Sequence, residues 1–364
     1  MDLEKILIYA IEKEASDIHI SSNLPVFFRI NGKMLPFGEN LLAGYIYNLS
    51  LKILTQKQQS ELDENRNIDF VYTSKTKNRF RGNAYYTREG LCISLRMILE
   101  NIPRFETLGL PKIVLERVMR RNQGLILVVG PTGQGKSTTL ASLLRHRSEY
   151  FSEHIITLED PIEFIIKSQK SVVHQRNRGR DVKSFNLGLK SALREDPDVL
   201  MVGEMRDLET ISLALTAAET GHLVFSTLHT KNAPETIDRI IDVFPSDQQS
   251  QIRTQLASTL EMVISQRLLP TLNGKRILAY EILVSNYAIK NHIRQGSTHQ
   301  ISNAMQTDNT GRMVLFDQCL ASLVLKGEIS LKTALQNAVS EEQVKYILEL
   351  RSNESGKPIE LELH

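Results

Sequence analysis

The chain has no tryptophan, and its two cysteines, Cys92 and Cys319, lie far apart. Neither belongs to a Cys-x-x-Cys pair, so a zinc site built on cysteines is excluded and a disulfide is not expected. Both are read as small buried apolar residues. No apolar run approaches the ~20 residues that span a bilayer. The N-terminus carries Asp2, Glu4 and Lys5 among its first residues and lacks a signal-peptide core. Cytoplasmic placement is therefore expected, with any membrane association made indirectly through a partner. Neither sign of charge dominates. Lys and Arg number 44 against 42 Asp and Glu, leaving +2, too little to imply a nucleic-acid coat or an anionic membrane surface. Arg176, Arg178 and Arg180 do cluster, and the cluster reads equally as a solvated loop or a binding patch. Internal repeats and low-complexity segments are also missing.

What is present is ordinary in bulk: 364 residues, 41% hydrophobic and 24% charged, enough for about two or three domains. Residues 2–14 carry helical apolar spacing at Leu3, Ile6, Leu7, Ala10 and Ile11. Asp17–Ile20 alternates as a strand. Val26–Ile30 runs into the turn signal Asn31-Gly32 and returns through Met34–Phe37. A helix is predicted over about 41–62, then strands at Ile68–Thr73, Arg79–Thr87 and Leu91–Ile98 with hairpin-like connections. Residues 1–99 thus read as a small α+β domain, and 100–111, with Pro103 and Pro111, as a linker. From 112 to about 350 the pattern becomes α/β. Apolar strands at Leu125–Val129, Ile155–Leu158, Val199–Val202 and Leu223–Thr227 suit a largely parallel sheet covered on both faces. A helical region is expected from about 247 onward, and residues 351–364 read as a flexible tail.

Four segments carry chemistry. Gly130-Pro131-Thr132-Gly133-Gln134-Gly135-Lys136-Ser137 is a complete phosphate-binding loop between a strand and a helix that opens with Thr138. Its glycines allow backbone N–H groups to turn onto phosphate oxygens, and the helix terminus adds a positive dipole end. Lys136 is placed for the β- and γ-phosphates and Ser137 for Mg²⁺. The chain is therefore expected to bind a nucleoside triphosphate. Gln134 fills a variable position. Next, the strand Val199–Val202 ends in Gly203-Glu204, an acid placed on a neighbouring strand to hold Mg²⁺ or its waters. Third, Glu159, Asp160 and Glu163 flank Pro161 after the strand Ile155–Leu158. Acids so close together call for a nearby cation, and Glu163 is favoured as the group that activates water. Fourth, His222 and His229 bracket the strand Leu223–Leu228. Seven residues apart, they face opposite sides of a strand, which argues against a shared metal. His229, at the carboxyl end, reads as a γ-phosphate sensor or as a core histidine. His222, after a helix-ending glycine, can equally be structural.

In this order the four segments resemble the secretion ATPase superfamily, and most closely the type IV pilus retraction ATPases (PilT-like). Ala15-Ser16-Asp17-Ile18-His19-Ile20, Ala192–Asp198, Gly203–Asp207 and Leu213–Thr230 carry the likeness with the phosphate loop and the acidic turn. The resemblance implies an α/β, RecA-like P-loop ATPase domain preceded by a small α+β, PAS-like domain. It implies a homo-hexameric motor that hydrolyses ATP with Mg²⁺ to power pilus retraction and twitching. Lys136 and Ser137 become the Walker A residues, Glu204 the Walker B acid and Glu163 the base. Glu159, Asp160, His222 and His229 fall in the family's nucleotide motifs. Arg81 and Arg96 become the arginines that neutralise γ-phosphate charge. The implied partner is an inner-membrane pilus platform protein, with a paralogous retraction ATPase as a second. Extension motors usually carry four zinc-binding cysteines, and this sequence has none of that set. Ala288-Ile289-Lys290-Asn291-His292-Ile293-Arg294 stands where retraction motors read Ala-Ile-Arg-Asn-Leu-Ile-Arg. Lys290 and His292 depart from it, which keeps a retraction accessory paralogue, or an assembly or secretion ATPase, open. A RecA-like nucleic-acid translocase is the alternative from another class. The weak net charge and the lack of an aromatic stacking platform argue against it. No acceptor site suggests a small-molecule kinase.

Overall fold

The computed structural model describes residues 2–30, 32–98, 101–308 and 310–355. The chain divides into two compact units, Met1–Glu100 and Asn101–His364.

The first unit opens with α1 (Leu3–Glu12), whose Leu3, Ile6, Leu7 and Ala10 are buried. The strands β1 (Asp17–Ile20), β2 (Val26–Ile30) and β3 (Lys33–Phe37) follow, then α2 (Ala43–Ile53) and α3 (Gln56–Asn65), then β4 (Asn67–Thr73), β5 (Arg79–Thr87) and β6 (Gly90–Ile98). The single helix expected over 41–62 is two helices. The chain is extended at Leu54, and Thr55 and Gln58 form a reciprocal capping box that starts α3. The turn at Asn31 falls partly outside the described residues. The sheet order is β3-β2-β1-β6-β5-β4, with every pairing antiparallel. Its register lines up one polar row: Arg29 opposite Asp17, Asp17 opposite Arg96, and Arg96 opposite Arg81.

In the second unit Ile102, Phe105 and Leu110 are buried in the main core, and Arg145 donates to the Ile102 carbonyl at 2.6 Å. From Ile102 onward the segment expected to be a linker packs on the core of the second unit. Next come α4 (Lys112–Arg120), β7 (Gly124–Val129), α5 (Lys136–Tyr150), β8 (His154–Glu159), β9 (Val172–Asn177), α6 (Phe185–Ala192) and β10 (Val199–Val202). The chain continues through α7 (Leu208–Glu219), β11 (Leu223–Leu228), α8 (Ala233–Asp242), α9 (Ser246–Thr259), β12 (Leu260–Pro270) and β13 (Arg276–Val284). It closes with α10 (Tyr287–Gln295), α11 (Ile301–Gln306), α12 (Phe316–Leu325), α13 (Leu331–Asn337) and α14 (Glu341–Ser355).

The sheet runs β13-β12-β7-β11-β10-β8-β9. All neighbours are parallel except the β12–β13 hairpin. Every position of β7 and β11 is buried, as expected for strands sandwiched by helices on both faces. The expectation of helices alone after residue 247 is corrected by β12 and β13. β12 adds to β7 on the side opposite β11. The tail expectation falls mostly on 356–364, outside the described residues, while α14 itself reaches Ser355. Among the described residues no helix is long and apolar enough to cross a membrane.

Candidate nucleotide site

The phosphate loop leaves β7 at Val129 and enters α5 at Lys136. Gly130 has φ 147°, and a Cβ there would lie 2.4 Å from the Gln266 carbonyl oxygen, so only glycine fits. Gly133 has φ 78°, and a Cβ built on it meets nothing within 4 Å. The loop is open at that point, with room for a phosphate to approach its backbone. Ser184, Asp207, Asn232 and Asn286 cap α6, α7, α8 and α10 with their side chains, whereas α5 has no side-chain cap. Its first N–H groups are left for an anionic ligand.

Lys136 is buried and donates to the Gly130 and Pro131 carbonyls at 2.7 and 3.0 Å. Burial lowers its pKa, and the negative charges of Glu163 and Glu204 oppose that shift. The ammonium therefore sits in the field of both predicted acids.

β11 lies between β7 and β10 in the sheet, so Glu204 ends the second strand from the loop rather than the adjacent one. The intervening strand ends at Leu228, and His229 spans the gap. Its Nδ1 is 3.4 Å from the Thr132 hydroxyl and its Nε2 is 3.6 Å from Glu204 Oε2. Burial, then the charge of Lys136, lowers the His229 pKa, with Glu204 acting in the opposite sense. This favours the neutral ring, which donates from one nitrogen only. Arg206, which sequence reasoning did not single out, holds the same Glu204 oxygen at 2.7 Å.

The three acids after β8 have separate environments. Glu159 is buried and accepts from the Thr157 hydroxyl at 2.6 Å and the Gln175 amide at 2.9 Å. Burial raises its pKa despite those bonds. Its carboxylate is spent on the turn, since Gln175 also donates to the Phe164 carbonyl at 2.8 Å. Asp160 pairs with Arg178 at 2.9 Å. Glu163 is exposed and is left to face the loop lysine. Burial favours the neutral form of Glu159, Arg178 balances Asp160, and the charge of Glu163 is felt by Lys136.

His222 is not brought to this site. It precedes β11 at the opposite edge of the sheet and bonds through Nδ1 to the Ala217 carbonyl at 3.0 Å, closing the turn after α7. Within one protomer this bond gives His222 the structural role that its sequence position left open. Arg81 and Arg96 lie in the first unit. Asp17 holds Arg96 at 2.7 Å, and Asp69 lies 4.0 Å from Arg81. The basic cluster is largely neutralised: Arg176 pairs with Glu195 at 2.9 Å, Arg178 with Asp160, and Arg180 with Asp181 at 3.4 Å. On α10, Ile289 and Ile293 are fully buried, while Lys290 reaches the Ser258 carbonyl at 3.4 Å and His292 bonds Ser297 at 3.1 Å.

Counted in chain order, the five central parallel strands β7, β8, β10, β11 and β12 lie in the order fifth, first, fourth, third, second. With an uncapped helix behind a glycine loop and acids on the far strand ends, this is a P-loop nucleotide hydrolase with a RecA-like core. The model of the family "Type II/IV secretion system protein" matches residues 1–357, and the chain belongs to that family; it is an ATPase. It is 43% identical over 343 residues to the type IV pilus retraction ATPase PilT of Pseudomonas aeruginosa, covering 93% of this chain and 98% of that one. To the type IV pilus ATPase PilU of the same organism it is 37% identical over 354 residues, covering 97% and 92%. The crystal structure of the pilus retraction motor PilT with bound ADP superposes with a TM-score of 0.89 at 44% identity, covering 95% of this chain and 99% of that one.

Proposed function

We propose that this chain is the motor ATPase of a type IV pilus, working as a homo-hexamer in the cytoplasm against an inner-membrane platform protein, and that it retracts the pilus. The observation that carries the hydrolase reading is the bridge from Thr132 through His229 to Glu204, set beside a lysine that faces Glu163. The direction of work rests on likeness to the retraction ATPase, which exceeds the likeness to PilU. The buried Ile289 and Ile293 add support, because the departures at Lys290 and His292 leave the packing face of α10 intact.

ATP is the substrate. Lys136 and the loop N–H groups bind its phosphates. Ser137 and Glu204 offer a hydroxyl and a carboxylate, oxygen donors that suit Mg²⁺. When bound, the ion neutralises charge on the transferring phosphoryl group. Glu163, exposed and unpaired by arginine, accepts the proton of the attacking water. Neutral His229 has one N–H to give, to the γ-phosphate while that group is bound and to Glu204 once it has left. Glu159 and Asp160 shape the turn that aims Glu163. Arg81 and Arg96 of a neighbouring protomer complete the charge balance. Hydrolysis removes the group that both protomers grip, and the interface reopens.

Glu163→Gln tests this reading. It should lower kcat by about 10²–10⁴ while ADP binding stays near wild type. In a piliated host, deletion should give excess pili and no twitching, restored by wild type and not by Glu163→Gln. Full turnover by the variant would move the base elsewhere; bald deletion cells would reverse the direction of work.

A further inference from the structure

β12 pairs with β7 only as far as Ser265, opposite Val129, where β7 ends. β12 runs on to Pro270, and β13 covers its other edge as far as Pro270 opposite Arg276. The edge of Gln266–Pro270 that faces the phosphate loop therefore has no strand to pair with, and unpaired buried backbone is costly. Gln134, midway round the loop, fills that edge: its side-chain oxygen accepts from the Leu268 N–H at 2.6 Å. Gln266 answers from the strand. Its amide donates to the Gln134 carbonyl at 2.7 Å and accepts from the Thr139 hydroxyl at 3.0 Å. Gln266 is 1% exposed, and its own carbonyl is the atom that forbids a side chain at Gly130. One residue thus fixes the start of the loop, its middle, and the first turn of α5.

Its neighbours on β12 point the other way. Arg267 donates to the Asn337 carbonyl at 3.1 Å and lies over the Phe316 ring at 4.6 Å. Leu269 packs among residues of α12, α13 and α14. The strand extension is clamped on one side to the C-terminal helices and on the other to the loop.

We infer that Gln266 is a positioning residue of the ATPase site: with Gln134 it holds the phosphate loop in its binding shape before nucleotide arrives. A loop already ordered loses less freedom on binding, so the clamp acts on affinity. Because it holds ground state and transition state alike, it lowers KM and leaves kcat alone. The effect on ATP rests on the nucleotide-site reading above, but the ordering of the empty loop does not.

Three full-length variants test it: Gln266→Leu, Thr139→Val and Gln134→Met, the last changing a residue that is only half-buried. Hydrogen exchange of residues 130–135 in nucleotide-free protein should quicken about three- to tenfold in each, the range of one lost buried hydrogen bond. KM for ATP should rise by a similar factor with kcat within about twofold. Thr139→Val and Gln266→Leu should be non-additive together, since they remove the same bond. Wild-type exchange and wild-type KM in Gln134→Met would overturn the inference, as would a loss confined to kcat. If the wild type bound no ATP, the nucleotide reading would fall, and exchange alone would still decide whether the clamp orders the loop.

Discussion

Glu281 is a residue whose charge works against the fold around it. It sits on β13 and is 4% exposed. It accepts from the Ala233 N–H at 2.8 Å and the Ser265 hydroxyl at 3.4 Å. Burial pushes its pKa from 4.5 up to about 6; Asp317 adds to the rise, while those two bonds and Arg267 oppose it. An acid raised in the native state binds more protons folded than unfolded across that interval. Its contribution is therefore fully present below pH 4.5 and is lost as pH rises through about 6. The rise corresponds to about 2 kcal/mol. Glu281→Gln should gain stability relative to wild type by a little over half of that, about 1 kcal/mol, between pH 5 and pH 7, read as the change in their Tm difference. A constant difference would mean that this carboxyl does not titrate there. At the same scale the sequence singled out Lys136, Glu204 and His229 as candidates because strand ends and glycine spacing point to them. It did not give Gln266 or Arg206. A buried amide gripping a loop from a distant strand has no local spacing to announce it.

At the scale of elements, each strand was legible where its apolar run was bounded by turn residues, as in Val199–Val202. β9 went unread because its sequence, Val-Val-His-Gln-Arg-Asn, is polar and half exposed at the sheet edge. β12 went unread because α9 passes straight into it at Leu260, without glycine or proline between them. The break between α2 and α3 was signalled by Thr55 and Gln58, but the apolar period continued across it. The helix after His229 shows how several small terms hold one element. Asn232 accepts from the Glu235 N–H at 2.9 Å, and Glu235 accepts from the Lys231 N–H at 3.1 Å. Thr230 and Thr236 share a buried bond of 2.7 Å. Asn232→Ala removes the side-chain cap and should destabilise the protein by about 1 kcal/mol. Chemical denaturation at pH 7 measures it; an unchanged midpoint would mean that Glu281, on the Ala233 N–H, suffices to hold the helix start.

At the scale of the whole molecule, the two units carry charge of opposite need, and the proposed ring would pair them between neighbouring protomers. The second unit carries Lys136 and two acids in one field. The first carries Arg29, Arg96 and Arg81 in one cross-strand row, with Asp17 between the first two. Asp17 binds Arg96 at 2.7 Å and is 3.9 Å from Arg29, so the row is preset in direction while Arg96 remains two-thirds exposed. A head-to-tail ring would offer such a row to the next protomer's nucleotide, because each heterologous contact joins one face to a different face. Mixing tests this directly. Lys136→Ala protomers cannot hold phosphate but keep their arginines, and Arg81→Ala, Arg96→Ala protomers keep the loop but lack the arginines. Each pure sample should be close to inactive. An equal mixture, left to exchange subunits, restores one intact loop-and-arginine pairing in about four contacts, so turnover should recover to the order of a quarter of wild type. No recovery after confirmed exchange would mean that the arginines act within their own chain, and an active arginine-free sample that they do not act at all; either way the shared site would have to be abandoned.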